Sequence, residues 1–164
     1  MSLEAQVGIL VQINVNPKGG VPKYTIQSTS IHTDHVEGDK QSHRRFHGGP
    51  ERAVTLFSLE RIQQLQAEGH TIVPGSTGEN LTISGLDWSQ ITPGTRLRIG
   101  EQVELEISSY ARPCELISDS FIMGKSSRIS QLQYPGWSRL CARVLREGQV
   151  AAGDRILVSM RGEE

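Results

Sequence analysis

Residues 96–107 read Arg96-Leu97-Arg98-Ile99-Gly100-Glu101-Gln102-Val103-Glu104-Leu105-Glu106-Ile107. Apolar and charged side chains alternate on both sides of Gly100, and a period of two sends successive side chains to opposite faces of a strand. The stretch therefore predicts a hairpin with one buried face and one solvated face. A helix would need its apolar residues three and four apart, which this segment does not offer.

The rest of the chain is cut into pieces of similar size. Pro17-Lys18-Gly19-Gly20, Pro74-Gly75, Pro93-Gly94 and Pro135-Gly136 punctuate it, and such dipeptides mark turns. Between them, Gln6 to Val15 is apolar and β-branched, and Tyr24 to Ile31 has strand composition. Ala53 to Phe57, Leu81-Thr82-Ile83, Ser138 to Leu145 and Ile156-Leu157-Val158 bring the expectation to six to eight strands. Leu59, Ile62 and Leu65 stand at helical spacing after Ser58, a capping residue, and before Gly69, a stop signal. The predicted class is mainly β (α+β). Closure of many short strands into a barrel-like fold removes their exposed edges.

The 164 residues favour one domain spanning 1–164. Lys+Arg 17 against Asp+Glu 18 gives a formal charge of −1, so no global positive field attracts nucleic acid as a general partner. The apolar run Val7 to Val11 is far shorter than the ~20 residues of a spanning helix, and no basic region precedes it. The chain thus reads as cytoplasmic, without a membrane partner. Cys114 and Cys141 are too few for a disulfide scaffold, so each is expected as a free thiol or a ligand.

Cys114 follows Arg112-Pro113 just beyond an amphipathic strand, and the proline denies further pairing, which places the thiol on a loop. A neighbouring cation favours thiolate, the form that acts as nucleophile and soft-metal ligand; the other reading is an inert buried cysteine. Cys141, inside the Ser138 to Leu145 strand, reads as packing. Residues 38–50 hold Arg44, Arg45, His43, His47 and the Gly48-Gly49 pair, donors suited to an anion or simply a solvated loop. In Gly75 to Leu81, Glu79-Asn80 either caps backbone or faces a ligand. His32, His35, His43 and His47 with Asp34 and Asp39 contain zinc-compatible donors, in no specific spacing. No phosphate-binding or dinucleotide glycine motif is present.

Taken in order, Gly19 to Lys23, Gly38 to Gln41, His47-Gly48-Gly49-Pro50 with Ala53-Val54, Pro74 to Leu81, Gly85-Leu86, Arg112-Pro113-Cys114, and Gly136-Trp137 through Leu145 to Gly153-Asp154 resemble the MOSC domain. The similarity runs from about Val7 to Val158. It implies a β-barrel-like fold with a few flanking helices. It also implies a molybdenum cofactor, with Cys114 as thiolate ligand to the metal and Lys23, Arg44, His47, Gly48, Gly49, Asn80 and Arg112 as candidates to hold the pterin and its phosphate. Relatives of this type reduce N-hydroxylated compounds, so the implied reaction is reduction of N-hydroxylated bases or related small molecules, with Asp39, His47 or Glu79 as proton relay.

Two cysteines cannot build a four-cysteine iron–sulfur site, and no flavin fingerprint is visible. A separate electron-donor protein, of flavoprotein or ferredoxin type, is therefore implied. A second function attached to the family is non-redox sulfur carriage, with a persulfide on Cys114; a third reading is a cysteine hydrolase using Cys114 and His47. Pyridoxal phosphate is attributed to the family through a fused sulfurase domain, and none of Lys18, Lys23, Lys40 and Lys125 lies in a recognisable Schiff-base site.

Overall fold

A computed structural model describes residues 6–40 and 49–159. Its strands are β1 (Val7–Val15), β2 (Tyr24–Ile26), β3 (Ser28–Ile31), β4 (Val54–Ser58), β5 (Leu81–Ser84), β6 (Arg96–Ile99), β7 (Val103–Tyr110), β8 (Leu140–Arg146), β9 (Gly148–Ala151) and β10 (Arg155–Ser159). The α-helix among the described residues, α1, spans Leu59–Ala67. Hydrogen-bonded neighbours run β10-β6-β7-β8-β4-β5-β1, and β1 pairs back onto β10, so seven strands close into a barrel. β2 adds to β1 outside the ring, while β3 and β9 form a separate ribbon. Closure leaves no free edge in the ring, the solution expected for strands this short.

The 96–107 hairpin forms as expected. β6 and β7 pair antiparallel through Leu97↔Leu105 and Ile99↔Val103, and these four side chains with Ile107 are at most 1% exposed. α1 also stands where expected: Ser58 Oγ accepts the Arg61 N–H at 3.1 Å, and Ile62 and Leu65 are buried. The helix begins the crossover between β4 and β5, which pair in parallel. Parallel neighbours cannot be joined by a tight turn, so the chain must travel across the barrel, and residues 70–80 return it to the start of β5.

Two expectations fail locally. Tyr24 to Ile31 is two strands in different sheets, because β2 pairs β1 whereas β3 pairs β9. β9, Gly148–Ala151, carries one apolar residue that is buried, Val150, and a period-two signal needs more than one. Together they raise the count from the expected six to eight strands to ten. Strict alternation also breaks where the ring bends: β1 bulges between Leu10 and Gln12 against β5, and β7 between Ile107 and Ser109 against β8. Bulges re-aim the side chains beyond them. The second bulge leads into the loop that carries Cys114.

Candidate functional site

The C-terminal ends of β1 and β7 meet the N-terminal ends of β4, β5 and β8 around a cavity of about 480 Å³. This is within the usual range for small-molecule sites, roughly 300–1,000 Å³. Its walls are loops held by the barrel.

The loop 74–80 closes one side. Gly75 has φ 87°, and a Cβ there would lie 2.5 Å from the Lys23 carbonyl oxygen, so only glycine permits the Lys23 N–H to reach the Gly75 carbonyl at 2.9 Å. Glu79 holds this loop from below. Its carboxyl is fully buried and takes the Gly75 N–H at 2.9 Å and the Thr77 hydroxyl at 2.9 Å. Burial pushes the Glu79 carboxyl above its ordinary range, against the lowering effect of the Gly75 N–H and the other donors.

Such a group favours folding most when protonated. Its contribution is complete below the unfolded pKa, about 4.3, and is lost as pH rises through the higher folded value. Glu79→Gln keeps an acceptor for Gly75 and Thr82 and places an amide donor toward Thr77. Thermal melts between pH 4 and pH 8 should therefore show wild type losing stability relative to the variant as pH rises; a difference independent of pH would refute this.

Asn80 and Asp39 form the next wall. Asn80 Oδ1 accepts the Thr55 N–H at 3.1 Å, and its amide donates to Asp39 Oδ2 at 3.0 Å and to the Asn14 carbonyl at 3.3 Å. Asp39 also accepts the Asn16 N–H at 2.8 Å and pairs with Lys23 Nζ. Asn80, a candidate to hold a ligand, thus faces the cavity while its polar atoms are occupied by β1, β4 and Asp39. Its first effect is to position Lys23 and Asp39.

Cys114 lines the same cavity. The thiol is half-buried on a loop in extended backbone just before the 3-10 turn Glu115–Ser120, as the Arg112-Pro113-Cys114 sequence predicted, and it lines the cavity together with Arg112, Lys23 and Asn80. The structure brings these four site residues together. Gly49 begins the turn Pro50–Arg52 at φ 85° and is not part of the cavity wall, although Arg52 is. Arg44, His47 and Gly48 lie outside the described residues, and with them the Cys114–His47 pairing and His47 as relay. Of the other relay candidates, Asp39 lines the cavity and Glu79 is sealed behind it.

Several cavity residues, Arg52, Cys141 and Arg139 among them, were not singled out from the sequence. Cys141, read as packing, is 5% exposed yet lines the cavity beside its cross-strand partner Thr55; burial pushes its thiol up, opposed by the Arg139 charge. Arg139 is 7% exposed, with its guanidinium donating to the Thr77 carbonyl at 2.6 Å and the Arg112 carbonyl at 3.0 Å. An arginine at the start of an alternating strand gives no signal that it points inward. Lys23, Lys40, Arg52, Arg112 and Arg139 face Asp39 as the one carboxylate among the described lining residues. A chain of nearly zero net charge therefore has a positive cavity. Low-dielectric walls concentrate that field on an anionic ligand.

Of the zinc-compatible donors, His43 and His47 lie outside the described residues; among the described residues no group of three or more His, Cys, Asp or Glu converges. His32 and His35 stack on one another at 4.8 Å and meet Glu37 and Asp34 outside the cavity. No helix among the described residues is long and apolar enough to cross a membrane.

Comparison with known proteins places these features in context. A family model described as MOSC domain matches residues 43–157. The uncharacterized protein YflK of Bacillus subtilis is 29% identical over 135 residues, covering 82% of this chain and 60% of YflK. A protein named reductase from Gibberella moniliformis is 29% identical over 115 residues, 67% of this chain and 20% of that protein. The chain thus spans less than two thirds of the length of either relative. The crystal structure of YiiM from Geobacillus stearothermophilus superimposes with a TM-score of 0.71 at 20% identity, over 94% of this chain and 76% of that one, a likeness of fold.

Proposed function

Because the chain belongs to the MOSC domain family, we propose that it binds the molybdenum cofactor through Cys114 and reduces N-hydroxylated bases or related small molecules. The observation that carries this reading is the union, in one cavity, of a half-exposed thiol and an excess of cations. A soft thiolate suits molybdenum, and the cations and loop amides suit a phosphorylated pterin. The relative named reductase supports redox chemistry. When bound, the cofactor supplies a metal that accepts oxygen from substrate and passes electrons.

The chain's own residues do the rest. Cys114 ligates, and Lys23 and Arg112 lie where they can hold the anionic part, Lys23 with its ammonium oriented by Asp39. Asp39 is the described relay candidate that reaches the cavity. Electrons come from a separate flavoprotein or ferredoxin-type donor.

The test is molybdenum per chain, by elemental mass spectrometry, after expression in a host that makes the cofactor. Near-stoichiometric metal is expected in wild type, with a fall to a small fraction in Cys114→Ser. Metal retained in the variant refutes the ligand. Absence from both proteins, with a reductant-removable sulfur atom on Cys114, favours the sulfur-carrier reading, which the second thiol in the cavity also supports.

A further inference from the structure

We propose that Arg139 is the fixed positive charge of the cavity, a positioning residue that selects an anion at Cys114. This rests on the reading of Cys114 as the reactive thiol and adds the residue that sets the field around it.

A guanidinium is always charged, and removing it from water is costly unless an opposite charge compensates. Arg139 is 7% exposed, yet no carboxylate forms an ion pair with it among the described residues. Two of its nitrogens are held by neutral carbonyls, those of Thr77 and Arg112. Its Nε is buried without a hydrogen-bond partner. The ionisable groups nearest in effect to its charge are Cys141, Glu79 and Cys114. Glu79 is already occupied by Gly75, Thr77 and Thr82, and burial favours its neutral form. Burial favours the neutral Cys141 thiol as well, so the compensation left is an anion that enters from the cavity.

The two carbonyls explain why the charge stays in place. Thr77 is on the loop 74–80, and Arg112 is two residues before Cys114, so one side chain ties both walls to the start of β8. A charge fixed this way needs no reorganisation when the ligand arrives. The exposed cations Lys40 and Arg112 attract an anion to the mouth, whereas Arg139 decides how it is held inside.

The test uses the cofactor-free protein and compares two disulfide reagents of similar reactivity, dianionic 5,5′-dithiobis(2-nitrobenzoate) and neutral 2,2′-dithiodipyridine. In each reaction the Cys114 thiolate attacks the reagent disulfide, forming a mixed disulfide and releasing an aromatic thiolate. Peptide mass spectrometry assigns the rate to Cys114. The ratio of the two rates cancels the thiolate fraction and reports the field at the sulfur.

Removing a unit charge from the cavity wall that Arg139 shares with Cys114, in a partly screened site, should lower the anionic-to-neutral ratio about ten-fold in Arg139→Met. Arg139→Lys, which keeps the charge, should stay near wild type, and Arg112→Gln should fall less than Arg139→Met. An unchanged ratio in Arg139→Met overturns the proposal, as does a ratio lost equally in Arg139→Lys. If Arg139→Met does not fold, Arg139→Gln decides, since it keeps an amide donor for the Thr77 and Arg112 carbonyls and loses the charge: a lowered ratio upholds the proposal and an unchanged one overturns it. None of these outcomes depends on molybdenum, so failure here is distinct from failure of the proposed reaction.

Discussion

Asp39→Ala is expected to destabilise the protein by about 3 kcal/mol, because removing one member of a largely buried ion pair strands the other. The side chains of Lys23 and Asp39 are 12% and 4% exposed, so water replaces little of what is lost. The same substitution leaves the Asn16 N–H and one Asn80 amide hydrogen without their acceptor. At 2–4 °C per kcal/mol for a chain of this size, the thermal midpoint should fall by roughly 6–12 °C. Lys23→Met should cost less, since Asp39 keeps both neutral donors. Urea titrations of the two variants check the order; a loss below about 1 kcal/mol in Asp39→Ala would show that the Asp39 contacts add little beyond their cost of desolvation.

The second large effect is expected at Phe57. Its ring is fully buried on β4 and meets Trp88 edge-on at 6.4 Å between centroids, and truncating a buried phenylalanine to alanine costs about 3–5 kcal/mol. The damage should reach the site. Trp88 Nε1 donates to the Ser138 carbonyl at 2.8 Å, immediately before Arg139, so a cavity beside Trp88 loosens the support of the buried guanidinium. Phe57→Ala should therefore lower the urea midpoint and shift tryptophan emission to the red. A stability loss with unchanged emission would separate the core from the cavity wall.

Legibility in the sequence followed the range of each interaction. The 96–107 hairpin and α1 were readable because alternation, helical spacing, a capping serine and a terminating glycine act between residues a few positions apart. Cys114 was readable as a loop thiol for the same reason, since Pro113 blocks pairing locally. The split of Tyr24 to Ile31 was not readable, because strand composition says nothing about which partner a strand finds. β9 was invisible with Val150 as its one buried apolar residue.

The sequence by itself determined the class of fold, the position of the helix, the loop location of Cys114 and the excess of short strands that makes closure favourable. Only the tertiary structure decided that β1 returns to β10, that Lys23, Asp39 and Asn80 form one network, and that Arg139 and Cys141 share a cavity with Cys114. The ring pairs residues far apart in the chain, Ile9 with Ser84 across 75 positions and Val7 with Leu157 across 150. The physical reason is that periodicity fixes which face of a strand is apolar, whereas the burial of a cation depends on what the closed ring brings against it.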